Sequence, residues 1–155
     1  MQFAYRLVGT GWAEADVGDG TATATLTASY LGDALGDLLY AIWRLLEGDA
    51  ETRCSWAEEP GEYRWIMQRD GDYVHLRVLE FMSTHPPRPD EAGRLVFESH
   101  PEVRALARAI ALGASRTLEE HGEQGYKGMW GSPFPTKTLE LIRDALESPA
   151  PGEQA

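Results

Sequence analysis

The sequence predicts an α+β fold: one mostly antiparallel sheet of five or six strands, a central buried helix, and two to three further helices on one face. Three observations predict it. Residues 21–28, TATATLTA, alternate almost perfectly between threonine and apolar residues, the two-residue period of a half-buried strand. Residues 31–46, LGDALGDLLYAIWRLL, instead place leucines, alanines, Ile42 and Trp43 on an arc of roughly 200° at helical spacing. A helix lying on one surface needs an arc of only about 100°, so this one is expected to be covered on two sides. Asp70-Gly71 then separates two further alternating runs, the strongest hairpin signal in the chain.

Taken in order, residues 2–17 and 21–28 read as a hairpin closed by Gly18-Asp19-Gly20, with Gly9 and Gly11 marking a bend or bulge in the long first arm. This pairing puts Ala13, Ala15 and Val17 on the face of Ala22, Ala24, Leu26 and Ala28, with the threonines opposite. So many alanines leave little height above the sheet, which lets a helix approach closely. Ser29 is the expected N-cap of the central helix and Gly48 its C′ residue. Strands over 51–57, 62–69 and 72–82 follow. With Asp70-Gly71 as a two-residue turn, Met67 pairs with Val74, Trp65 with Leu76 and Tyr63 with Val78. Cys54 and Trp56 join that apolar face.

The opposite face carries Arg53, Ser55, Arg64, Ile66, Gln68, Tyr73, His75, Arg77, Leu79 and Phe81. Arg64 falls directly across from Arg77 in this register, an arrangement that destabilises a sheet. After the Pro-rich stretch 84–92, THPPRPDEA, residues 94–98 suit a last strand. Ser99-His100-Pro101-Glu102 reads as the capping box of a helix running to about His121. Its stripe is Val103, Leu106, Ala107, Ile110, Ala111, Ala114 and Leu118, and Gly122 stops it. Thr136 or Thr138 caps a final helix with Leu139, Ile142, Ala145 and Leu146 inward. Residues 1–147 are expected to form a single domain, and residues 148–155, SPAPGEQA, a disordered tail.

Composition bounds the function. A net charge of -11 over 155 residues argues against nucleic acid as a partner, because its backbone needs a basic footprint. No apolar run approaches the ~20 residues of a membrane span, so no membrane partner is expected. The N-terminal MQFAYRLVGTG lacks the basic and apolar regions of a secretory signal. The lone Cys54 cannot form an internal disulfide, which fits a reducing cytoplasm. The expected location is therefore cytoplasmic.

Among candidate sites, Arg53, Arg64 and Arg77 are expected to cluster with His75 and Tyr73. Guanidinium forks bind oxyanions through two nitrogens, so such a set could hold a carboxylate or phosphate. Nearby acids such as Glu58 or Glu62 could instead neutralise it. With Ile66, Leu79 and Phe81 on the same face, the surface also has the mixed apolar and arginine character of a partner or homodimer interface. Asp33 and Asp37, one helical turn apart, could do acid/base work or bind a divalent ion; acids there also simply complement the helix dipole. His75, His85, His100 and His121 lack the spacing of a zinc motif. Cys54 falls on the face of the sheet opposite His75, so the two do not form a nucleophile and base. No catalytic residue, metal ligand or cofactor is assigned. Trp12, Trp56, Trp65, Tyr126, Trp130 and Phe134 could line a pocket rimmed by residues 130–135, or fill the core.

Three pieces, SYLGDALGDLLYAIWRLLEG, EEPGEYRWIMQRDGDYVHLRVLEF and EEHGEQGYKGMWGSPFP, together resemble small acidic bacterial proteins, actinobacterial in character, to which no activity is assigned. The resemblance implies a standalone cytoplasmic protein and carries over no site residue. The expected function is a non-enzymatic binding protein, immunity-like or adaptor-like. It would recognise a protein partner or a second copy of itself through Arg53, Arg64, Tyr73, His75, Arg77 and Phe81. The alternative is a domain or minor enzyme that takes a small anionic ligand in a pocket between sheet and helices.

Overall fold

Gly9 and Gly11 do more than bend the first arm; they reverse it. The computed structural model describes residues 1–150, and residues 151–155 of the expected tail lie outside the described residues. Gly9 and Gly11 take φ of 107° and 78°, a region that glycine enters without steric cost. Residues 2–17 therefore form two strands, β1 (Gln2–Leu7) and β2 (Trp12–Gly18), with Tyr5 opposite Ala15. On the other side of β2 lies β3 (Thr23–Ser29), with Leu26 opposite Ala15 and Ala28 opposite Ala13. Ala13, Ala15, Val17, Leu26 and Ala28 are buried, so most of the expected alanine face points inward, whereas Ala24 is half-buried and Ala22 is exposed in the turn before β3.

The central helix, α1 (Ala34–Leu46), starts after Asp33, whose carboxylate accepts the Gly36 N–H at 3.3 Å. Ser29 does not cap it. That residue is held in the ladder opposite Trp12, and its hydroxyl accepts the Leu31 N–H. Gly48 follows the helix at φ 110°, as expected.

A second antiparallel sheet has the order β4 (Glu51–Ala57), β5 (Glu62–Asp70), β6 (Tyr73–Phe81), β7 (Arg94–Ser99). Asp70 pairs with Tyr73, so the two turn residues are Gly71 and Asp72. Gly71 takes φ 62° at the first central position, as a type II′ turn requires. Met67 thus faces Leu76, and Trp65 faces Val78. The expected register is wrong by two residues, and because two is the side-chain period every residue keeps its face. One consequence is a correction: Arg64 lies across from Leu79, and Arg77 across from Ile66, so the expected Arg64–Arg77 pair does not form.

The long helix α2 (Val103–Trp130) is interrupted at Gly122, where φ 66° and ψ 170° mark the break expected there. Ser99 does not cap it; the helix starts after Glu102, and the Val103 N–H donates to the Asp72 carbonyl at 2.8 Å. A last helix, α3 (Thr136–Glu147), closes the fold. Arg69 donates to the Leu45 carbonyl at the end of α1. Arg104 reaches the carbonyls of Ala145, Leu146 and Ser148 at the end of α3, at 3.3, 2.6 and 2.9 Å. Both arginines thereby meet carbonyls that a helix leaves unpaired.

The expected single sheet of five or six strands is therefore corrected to two antiparallel sheets, of three and four strands, with three helices among the described residues. The helices do not coat one sheet face. α1 packs on β4, α2 lies along β1, and α3 packs on both helices, so one core runs through both sheets. Phe3 meets Trp65 edge-on at 6.3 Å, and Tyr5 meets Trp56 likewise at 5.8 Å. α2 covers the outer edge of β1, where the Thr117 hydroxyl donates to the Tyr5 carbonyl at 2.7 Å. No helix among the described residues is long and apolar enough to cross a membrane.

Candidate functional site

Register fixes the outward face of the four-stranded sheet as a grid. Across the strands, Glu51, Gln68 and His75 form one row, and Arg53, Ile66, Arg77 and Glu98 the next. Ser55, Arg64 and Leu79 form the third, and Glu62 and Phe81 share the fourth. The three arginines expected to cluster thus surround Ile66. Arg53 and Arg77 flank it in its own row, and Arg64 lies two residues along its strand.

Part of this face is covered by the chain itself. Residues 82–93 leave β6 and cross it as a strap before entering β7. Ile66, Leu79 and Phe81 form a small cluster apart from the main core, all at most 4% exposed. Gly93 lies so close that a Cβ there would sit 2.7 Å from Phe81 Cζ and 3.0 Å from Leu79 Cβ. Arg64 stacks over the Phe81 ring, its Cζ 4.2 Å from the centroid.

The anchor of the strap is one carboxylate. Asp90 Oδ1 accepts from Arg64 Nη1 at 2.8 Å, and Asp90 Oδ2 accepts from Arg53 Nη2. The Arg64 bond, helped by Arg53, holds the Asp90 carboxyl below the usual carboxylate range. Arg64 also bonds Glu62 at 2.7 Å and the Arg88 carbonyl at 3.1 Å, while Arg53 bonds Glu51 at 3.0 Å.

Arg77 is different. Its Nε is buried and has no hydrogen-bond partner among the described residues. Glu98 stands opposite in the ladder but bonds His75 Nε2 instead, at 2.8 Å. That bond holds the Glu98 carboxyl below its ordinary value. His75 in turn stacks on His100, the rings 4.4 Å apart and nearly parallel at 7°. Tyr73, at the end of the same strand, is 51% exposed. The six residues predicted for binding therefore divide. Arg53, Arg64 and Phe81 lie under or against the strap, while Tyr73, His75 and Arg77 occupy the part that it leaves open.

Sequence reasoning did not assign Asp90, Glu98 or His100 to this face. The available signal was that THPPRPDEA is longer than a hairpin needs and carries acids that can fold back onto the arginines of this face.

The other candidates resolve into packing. Asp33 serves the start of α1; burial raises its carboxyl, and raises that of Asp37 with a further contribution from the Asp33 charge. Trp56, Trp65, Tyr126, Trp130 and Phe134 all lie in the main core, whereas Trp12 is exposed. Tyr126 meets Phe134 edge-on at 5.1 Å and Tyr5 meets Trp130 at 6.5 Å. The indole nitrogens of Trp56, Trp65 and Trp130 are buried without a hydrogen-bond partner among the described residues. Each such group costs about 1–3 kcal/mol, which the packing of these large rings must offset. A groove of about 690 Å³ lies elsewhere, between the outer side of the three-stranded sheet and Leu112 and Arg116 of α2. Among the described residues no group of three or more His, Cys, Asp or Glu side chains is placed to hold a metal ion.

Cys54 is buried on the inner face, away from His75 on the outer one. Burial pushes its thiol well above the ordinary range, with the Asp37 charge adding to it. Native protein at pH 8 is thus expected to resist iodoacetamide and to label fully in denaturant, as read by mass. Rapid native labelling would contradict this burial.

No family model matches the chain, and no curated protein or solved structure matches it. The resemblance to small acidic bacterial proteins gains no support there.

Proposed function

We propose that this is a non-enzymatic cytoplasmic protein that binds a partner protein through the open part of the arginine face, in the manner of an adaptor or immunity protein. One observation carries the reading: Arg77 is a half-buried cation whose Nε has no partner among the described residues, two residues along the strand from His75 and its stack with His100, with the exposed Tyr73 beyond them. Leaving a buried donor of a charged group unpaired is costly, and a carboxylate from outside would satisfy it in a two-pronged bond. Aromatic residues and arginine are also the types enriched where proteins meet.

The test is Arg77→Met, which keeps the aliphatic stem against Ile66 and removes the charge. Thermal stability is expected to stay the same or rise slightly, since no ion pair among the described residues is broken. Partner capture in pull-down, or self-association by light scattering, is expected to be lost. Association that persists in Arg77→Met overturns the reading. Arg64→Glu is a poorer test, because Arg64 is locked by Glu62, Asp90 and Phe81 and its loss would disturb the fold.

A further inference from the structure

Asp90 binds the arginine face as a ligand would. It spends one oxygen on each of two guanidinium groups, at the tip of a mostly exposed segment whose other holds on the face are the Arg88 carbonyl on Arg64 and Gly93 against Phe81 and Leu79. Residues 82–89, 91 and 92 are exposed, and Asp90 and Gly93 are the points where the strap is partly buried. Segments with few buried contacts open at low cost, well below that of global unfolding. Beneath lie Ile66, Leu79 and Phe81, an apolar floor ringed by Arg53, Arg64 and Arg77.

We propose that Asp90 is a placeholder: the Arg53–Arg64 seat takes a carboxylate from an acidic, extended segment of a partner protein, and residues 82–93 lift away to admit it. This rests on the reading that the arginine face is the binding face. The strap itself models the occupant, since its RPDEA sequence already delivers a carboxylate into this seat. An incoming segment must outcompete an internal rival whose effective concentration is high. Arg77 supplies the advantage. It stands in the Ile66 row, two strand spacings or about 10 Å from Arg53, and Asp90 does not engage it. A segment carrying a second acid can pair with Arg77 while the first displaces Asp90, a combination the strap does not achieve.

The experiment uses the full chain and a synthetic peptide of residues 84–93, THPPRPDEAG, added in trans. Closing of the strap multiplies the apparent affinity by the fraction of open molecules, so freeing the seat should raise it. Asp90→Ala and the isosteric Asp90→Asn are each expected to bind the peptide at least about tenfold more tightly than the wild-type chain, by anisotropy or calorimetry. The gain should vanish with a peptide whose aspartate is replaced by alanine, and again when Arg53→Gln is added to Asp90→Asn. Melting temperatures identify any variant that has lost its fold; should Asp90→Ala be one, Asp90→Asn decides. No gain in a folded Asp90 variant overturns the inference, as does an equal gain with the alanine peptide. If association depends on Arg77 while the Asp90 variants gain nothing, this inference falls and the binding reading stands. If the gain appears but Arg77→Met leaves association intact, the reverse holds.

Discussion

Leu38→Ala is expected to destabilise the protein by about 2–5 kcal/mol, the range for emptying a leucine site that cannot collapse. Leu38 is wholly buried on α1, as are Leu35, Leu39 and Leu45 on neighbouring turns. The helix is braced by β4, α2 and α3, so a shift that filled the void on one side would open another on the next. The urea midpoint should fall with little change in slope, the mark of lost stability without a change in the exposed area. Leu112→Ala on α2 is the control. Leu112 is 52% exposed, and its loss should cost no more than about 0.5 kcal/mol. Similar losses at the two sites would mean that α1 is not the centre of the core.

The wide apolar arc of residues 31–46 made that centre legible without any structure, and alternation did the same for the inward and outward faces of β2 to β6. Both follow from periodicity, which is local. What failed was set by distant partners. Ser29 and Ser99 are good caps in sequence, yet the β-ladders hold them opposite Trp12 and Leu76, and the Ser99 hydroxyl donates to Asp19 at 2.7 Å. Gly9 and Gly11 predict only a bend or bulge, because a glycine pair shows where a chain can deviate but not by how much. The register of β5 and β6 turned on which of two adjacent residue pairs makes the turn, a choice that left the faces intact. The candidate site was half legible for the same reason. Parity placed Arg53, Arg64 and Arg77 together, but the strap that pairs two of them and spares the third is irregular backbone, and no period announces where it will lie.

Two glycine-to-alanine changes in α2 should have opposite signs, and the difference tests how this helix meets the sheet. Alanine is favoured over glycine by about 0.8–1.0 kcal/mol in a helix interior, so a change at a free site should stabilise. Gly128 is such a site, with nothing within 4 Å of the position its Cβ would take. Gly128→Ala is expected to gain about 0.5–1 kcal/mol. At Gly113 the added Cβ would stand 2.6 Å from the Phe3 carbonyl oxygen and 2.7 Å from its ring. The first of these is backbone in a paired strand and cannot swing aside. The helix would have to withdraw from β1, straining the Thr117–Tyr5 bond one turn further along, and overpacking of this kind costs about 1–3 kcal/mol. Gly113→Ala should therefore lower the melting temperature although it improves helix propensity. If it raised stability as Gly128→Ala should, α2 would not lie against the edge of β1, and the cover over that edge would have to come from elsewhere.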